Sequence, residues 1–290
     1  MFPTLCSRRS LKNVLSLLLV LGVLGVAAAR AQEPASARPV LEVDGNKVFT
    51  KQELLDVVNK CLDQYAETGY STEKLDYCLH RLTNHMQEKG YLQAHLGKTL
   101  YEQNENVLQA TIPVEEGAIY RLGEIKIEDA KVVTPAQILD LINLKPGEIV
   151  DAGRLTTALY ERVKEAYGNL GYIQYTAEVT PVFHLKEGAE EGVADFAITI
   201  DEGQQFKIRS IKFTGGLKAT TDLLQKELMV HDGEVFNHEL WKQSIIRMNN
   251  SGLFDPIDAD KDVDFKADEK APLIDLIIRL KKNAAVSVKP

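Results

Sequence analysis

The chain has 290 residues, 44% of them hydrophobic and 26% charged, an ordinary balance for a folded protein. Its formal net charge is −8 and it has no basic stripe, which argues against a nucleic-acid binder.

The first element is an export signal. Arg8, Arg9 and Lys12 precede an apolar run over residues 14–29, and Ala29-Arg30-Ala31 has the small-x-small form of a cleavage site. This layout predicts a secretory signal peptide over residues 1–31, followed by a linker over 32–38. An uncleaved membrane anchor is the alternative, although a spanning helix needs roughly 17–25 apolar residues and this run is short for that. Cleavage removes Arg8, Arg9, Lys12 and Arg30 but no acid, so the mature chain is more acidic still.

The rest of the chain repeats with a period near 86 residues. Tyr120, Leu122, Ile125 and Ile127 recur as Phe206, Ile208, Ile211 and Phe213, with the alternation of a half-buried strand. Leu41 and Val43 are a weaker first copy. A helix follows each strand, through Leu54 and Val58, Ile138 and Ile142, and Leu224 and Leu228. Gly147 and Gly233 are expected to end it in the second and third copies. Ser71, Asp151 and Asn237 are N-cap types that open a second helix, each flanked by the apolar pair of a hydrophobic staple: Tyr70 with Leu75, Val150 with Leu155, Phe236 with Trp241. That helix ends at Gly90, Gly171 or Gly252, the third copy being about five residues shorter. Two strands close each unit, the last reading VLQATIPV (107–114), VADFAITI (193–200) and LIDLIIRL (273–280). The expected fold is α+β, with three tandem β-α-α-β-β units over 39–117, 118–203 and 204–283 and a tail over 284–290.

Cys6 falls in the signal, leaving Cys61 and Cys78. They flank a turn near residues 67–71 at almost equal distances, so an antiparallel helix pair sets them level and a disulfide is geometrically possible. Two small buried core residues are the alternative.

Carried by these residues, the stretch DEGQQFKIRSIKFTGG (201–216) and its twin EEGAIYRLGEIKIEDA (115–130) resemble the opening strand of a polypeptide-transport-associated (POTRA) domain. The β-α-α-β-β order and the Gly-Tyr or Gly-Leu-Phe exit from the second helix agree with that resemblance. It implies a three-stranded mixed sheet on two helices in each unit. It also implies likeness to the periplasmic arm of the outer-membrane β-barrel assembly family, which binds assembly lipoproteins and unfolded barrel precursors. The expected function is a non-enzymatic periplasmic scaffold, associated with the outer membrane, that binds clients or partners by strand addition. A structural, inner-membrane-anchored component of a division or secretion complex is the alternative. No barrel fits before Pro290, so the expectation is an accessory arm working with a separately encoded barrel, or a truncated gene model.

The resemblance also points to the strand after each Gly exit as the edge to which a peptide adds: about 93–102, 174–182 and 256–265. Candidate contact residues are Gln93, Leu96, Gln174, Ala177, Val179, Ile257 and Val263. Capping by neighbouring units, or protection by charges such as Lys98 and Glu178, is the competing reading of these edges.

No catalytic or cofactor signature is present. His80 and His85, five apart on one helix, are poorly spaced for a shared metal, and no G-x-S-x-G, P-loop or dinucleotide-binding motif occurs. Asp258, Asp260, Asp262, Asp264 and Glu269 match EF-hand spacing, but Val263 stands where the loop needs Gly, which favours a solvated acidic hairpin.

Overall fold

The computed structural model describes residues 37–104, 107–215, 218–252, 254–268 and 270–281. The expected signal peptide, the tail and Glu269 lie outside them. No helix among the described residues is long and apolar enough to cross a membrane.

Three sheets follow one another. The first unit contains β1 (Ala37–Asp44), α1 (Lys51–Leu62), α2 (Thr72–Glu88), β2 (His95–Leu96), β3 (Leu100–Asn104) and β4 (Val107–Glu115). The second contains β5 (Ile119–Glu128), α3 (Pro135–Ile142), α4 (Ala152–Thr157), α5 (Lys164–Gly168), β6 (Thr176–His184) and β7 (Glu191–Asp201). The third contains β8 (Lys207–Thr214), α6 (Lys218–Gln225), α7 (His238–Asn250), β9 (Val263–Ala267) and β10 (Leu273–Arg279). In each, the last strand is central, with the first strand parallel on one side and the second antiparallel on the other. The fold is thus mixed α+β with three-stranded mixed sheets, the third position of the first sheet being shared by β2 and β3.

Side-chain alternation dictates these sheets. Ala194, Phe196, Ile198 and Ile200 on β7 are buried, while the residues between them face outward. Each unit closes its own core, centred on Leu54, Leu82 and Ile112 in the first, Tyr120, Leu159 and Ile198 in the second, and Ile208, Trp241 and Leu276 in the third.

The second helices start as their caps demand. The side chains of Ser71, Asp151 and Asn237 accept from the backbone N–H of Lys74, Arg154 and Leu240. Nineteen residues separate Ser71 from Gly90, but twenty separate Asp151 from Gly171. The extra residue would rotate the apolar face by about 100°. A π-helical turn over Ala158–Val163 between α4 and α5 absorbs it and keeps Leu155, Leu159 and Val163 buried. The expected helix stop at Gly147 is earlier than foreseen: α3 ends at Asn143, which itself takes the left-handed conformation (φ 52°).

Candidate polypeptide-binding edges and the clasps between units

Each sheet has two edges, and in the second and third units one is already occupied. The turn between the two helices runs back along the first strand. Leu122 N–H donates to Glu148 O (2.8 Å) and Val150 N–H to Tyr120 O (3.0 Å); Ile208 N–H donates to Glu234 O (2.8 Å) and Phe236 N–H to Phe206 O (3.0 Å). The repeated Gly-Glu turn therefore seals the β5 and β8 edges with backbone pairing. In the first unit β1 is held differently: the Arg38 guanidinium donates to Asp63 Oδ1 (2.7 Å) and Asn59 O (3.0 Å) at the end of α1.

The opposite edge belongs to the strand after the Gly exit. In the first unit it is broken. Gly97 N–H donates to Pro113 O (2.9 Å), so Pro113 faces this side of β4, where its missing N–H leaves no donor to continue the ladder. The expected strand over 93–102 becomes two short pieces, with Leu96 at the end of β2. In the second unit β6 is continuous, and Ala177 and Val179 lie on its core-facing side. The Tyr160 hydroxyl, from the π turn, donates to Ala177 O (3.2 Å). In the third unit the strand starts later than 256. Ile257 is buried, and both its backbone groups are taken by the Asn249 amide (2.7 and 3.0 Å), so it belongs to the core and not to an edge. Val263 opens β9 with its side chain buried.

Gln93 and Gln174 precede the strands and lie at the joints between units. The Gly-Tyr-Leu-Gln of residues 90–93 and the Gly-Tyr-Ile-Gln of 171–174 act alike. Gly90 O accepts Tyr120 N–H (2.9 Å) and Gly171 O accepts Phe206 N–H (2.8 Å), adding each exit to the first strand of the next unit. Tyr91 and Tyr172 pack on their own cores, whereas Leu92 and Ile173 pack on the core that follows. Gln93 Oε1 accepts the Tyr120 hydroxyl (2.5 Å), and the Gln174 side chain lies against Gly203 of the linker. Here glycine is required: φ is +95° at Gly90 and +85° at Gly171, and an added Cβ would lie 2.5 Å from Ile149 Cγ2 or 2.6 Å from Val235 Cγ1. Asn169 completes the second joint, accepting Glu239 N–H through Oδ1 (2.8 Å) and the Asn237 amide through its carbonyl (2.9 Å). The third exit differs: Gly252 is exposed, and Phe254 packs on its own core. The clasp was missed in the sequence, although the shared Gln and the Glu116-Gly117 and Glu202-Gly203 pairs were its signal.

Those glutamates tie each linker to the loop after the first strand. Glu116 is buried and its carboxylate accepts the N–H groups of Lys47 (3.0 Å), Val48 (2.8 Å) and Phe49 (2.9 Å). Glu202 Oε1 accepts Lys131 N–H and Val132 N–H (both 2.7 Å) and the Tyr167 hydroxyl (2.9 Å). Cys61 and Cys78 form a disulfide between α1 and α2, with Cα atoms 5.5 Å apart.

Four acids of the third unit's acidic run have cationic partners. Asp258 pairs with Lys261 (2.9 Å), Asp262 with Lys281 (2.6 Å), Asp264 with Arg279, and Asp268 with Arg209 (2.5 Å). Lys261 holds the Asp258 carboxyl, and Lys281 the Asp262 carboxyl, below the ordinary carboxylate range. Among the described residues no group of three His, Cys, Asp or Glu is placed to hold a metal ion. His80 is exposed, and His85 sits 3.3 Å from Glu53.

Comparison with known proteins agrees with this architecture. The model of the family described as "POTRA: Surface antigen variable number repeat" matches residues 120–203 and 206–283. The chain is 24% identical over 233 residues to the outer membrane protein assembly factor BamA of Neisseria meningitidis, covering 76% of this chain and 28% of that protein. Against BamA of Nitratidesulfovibrio vulgaris it is 24% identical over 272 residues, covering 87% of this chain and 33% of that protein. The chain thus spans about a third or less of these relatives' length. The POTRA3-5 crystal structure of Haemophilus influenzae BamA superposes with a TM-score of 0.63 at 18% identity, over 85% of this chain and 96% of that one. Repeated sheets, sealed first edges and family match converge: this chain belongs to the POTRA family.

Proposed function

We propose that the protein is a non-enzymatic scaffold of outer-membrane protein assembly that holds extended polypeptides by backbone pairing at its second-strand edges. The observation that carries this reading is the asymmetry of the sheets. The first-strand edges of the second and third units are sealed by their own turns, while the strands on the other side are exposed: Glu178, Thr180 and Val182 on β6, Phe265 and Lys266 on β9. An edge strand offers rows of N–H and C=O groups that pair regardless of client sequence, which suits a protein meeting many unfolded chains. The named role of the relatives supports the pathway. The clients are unfolded outer-membrane precursors or assembly lipoproteins. The site of action is the periplasm beside the outer membrane, after export by the amino-terminal signal.

Photo-crosslinking tests this. A photoreactive residue is placed at Glu102, Glu178 or Lys266 on the edges, or at Arg81 on a helix as control. The full chain is then mixed with a urea-unfolded outer-membrane barrel protein. Crosslinks from at least one edge exceed the Arg81 control if the reading holds; no edge above that control would defeat it.

A further inference from the structure

The three edges are not equivalent. We infer that β9 of the third unit is the edge to which an extended, alternately apolar segment adds, and that Pro181 keeps β6 from competing. This assignment rests on the strand-addition reading and says where that addition takes place.

Backbone direction distinguishes the edges. In an antiparallel pair, successive residues point their N–H and C=O alternately into the ladder and away from it. On β9, Arg279 N–H donates to Asp262 O (2.8 Å) and Asp268 N–H to Leu273 O (2.8 Å), which places Asp262 and Asp268 inward. By alternation Asp264 and Lys266 also point inward, and Val263, Phe265 and Ala267 point outward. Three complete donor–acceptor pairs in succession therefore face away from the sheet.

On β6 the same count fails. Pro181 sits in the ladder opposite Phe196, and a residue without N–H fits only at an outward position. Ala177, Val179 and Phe183 share that direction. Ala177 O, however, already accepts the Tyr160 hydroxyl, and Pro181 offers no donor, so the outward row is interrupted at two of its four places. On β3, Pro113 O faces this side, so Thr111, Gln109 and Val107 face it too, and their partners Leu100, Glu102 and Asn104 point inward. Only Tyr101 and Gln103 point outward there.

Side chains reinforce the choice. Phe265 is 45% exposed, yet its ring meets Phe236 (5.9 Å) and Trp241 (5.8 Å) edge to face. A strand added beside β9 sets every second side chain next to this aromatic platform, which favours aromatic or β-branched residues at alternate positions. The nearby acids Asp258, Asp262, Asp264 and Asp268 each pair with Lys or Arg, which lowers their repulsion toward an added strand. The occupant is thus an unfolded segment with the period-two pattern of a barrel strand.

The probe is a fluorescent ten-residue peptide alternating Val or Tyr with Thr or Lys, titrated by anisotropy into the full chain. Ala267→Pro removes one outward donor without touching an inward one, and weakens binding about fivefold, the share of one backbone hydrogen bond. Phe265→Ala removes the platform without a backbone change and also weakens it. Pro181→Val combined with Tyr160→Phe frees both interrupted places, restores the β6 row and raises the stoichiometry from one peptide to two. Binding that survives Ala267→Pro and Phe265→Ala but is lost in Val179→Pro moves the site to β6 and overturns this assignment, with strand addition intact. No binding to the natural chain at about 1 mM peptide overturns both.

Discussion

Glu116 and Glu202 show how a single carboxylate organises a unit of this fold. Each follows the central strand directly and gathers the backbone donors of the loop that follows the first strand, so the C-terminal ends of two parallel neighbours are tied through one or two carboxylate oxygens. Glu116→Ala leaves three N–H groups without their acceptor in a buried place and is expected to cost about 3 kcal/mol, read by urea denaturation. A loss no larger than that of an exposed Glu→Ala control would remove the tie from the account. Glu202 adds a pH signature. Burial opposes its charged form, but the N–H groups of Val132 and Lys131 and the Tyr167 hydroxyl outweigh that and hold its carboxyl below the ordinary value of 4.5. A depressed folded pKa means stability that is fully present above the ordinary value and lost as pH falls through the folded one. Glu202→Gln keeps the shape without the titration, so its stability should decline less than that of the natural protein below about pH 4.5. Parallel declines would show that the carboxylate carries no such linkage.

At the scale of elements, the exit glycines divide into two kinds. Gly171→Ala forces a side chain into left-handed backbone and against Val235 and Phe206 O (2.6 and 3.0 Å), an expected loss of about 3 kcal/mol. Gly252→Ala meets only the backbone penalty of φ +65°, with no described atom within 4 Å, and should lose about 1 kcal/mol. Equal losses by thermal denaturation would mean that the joint adds nothing to the turn. The elements themselves are legible in the sequence: caps at Ser71, Asp151 and Asn237, staples beside them, and period-two strands are local patterns written in contiguous residues. What escaped the sequence is long-range. The break at Pro113 depends on which neighbour that residue faces, and Ile257 joins the core because Asn249, on another element, holds its backbone. Gln93 and Gln174 read as strand residues because their repetition marks a shared role but not the neighbour they meet, Tyr120 or Gly203, which lies in or beside the next unit. The outward row of β9 needed the register, which a strand's own sequence does not contain.

For the whole molecule, three separate cores joined by short clasps imply that stability is a sum of unit terms plus joint terms, as in repeat proteins. The disulfide tests this, because it lies wholly within the first unit and closes a loop of sequence separation 17. A crosslink of that span restricts the unfolded chain by about 3 kcal/mol. Reduction should therefore speed hydrogen exchange in β1, α1, α2 and β4 while leaving β8, β9 and β10 unchanged. The second unit should respond only at the Tyr120 amide, which pairs with Gly90 O and loses its partner when the first unit opens. That pattern, read by hydrogen-exchange mass spectrometry with and without reductant, would show that opening of the first unit is transmitted no further than the clasp's own hydrogen bond. A uniform acceleration across all three sheets would instead mean that the units fold as one cooperative body, and the edges of one unit would then answer to events in another.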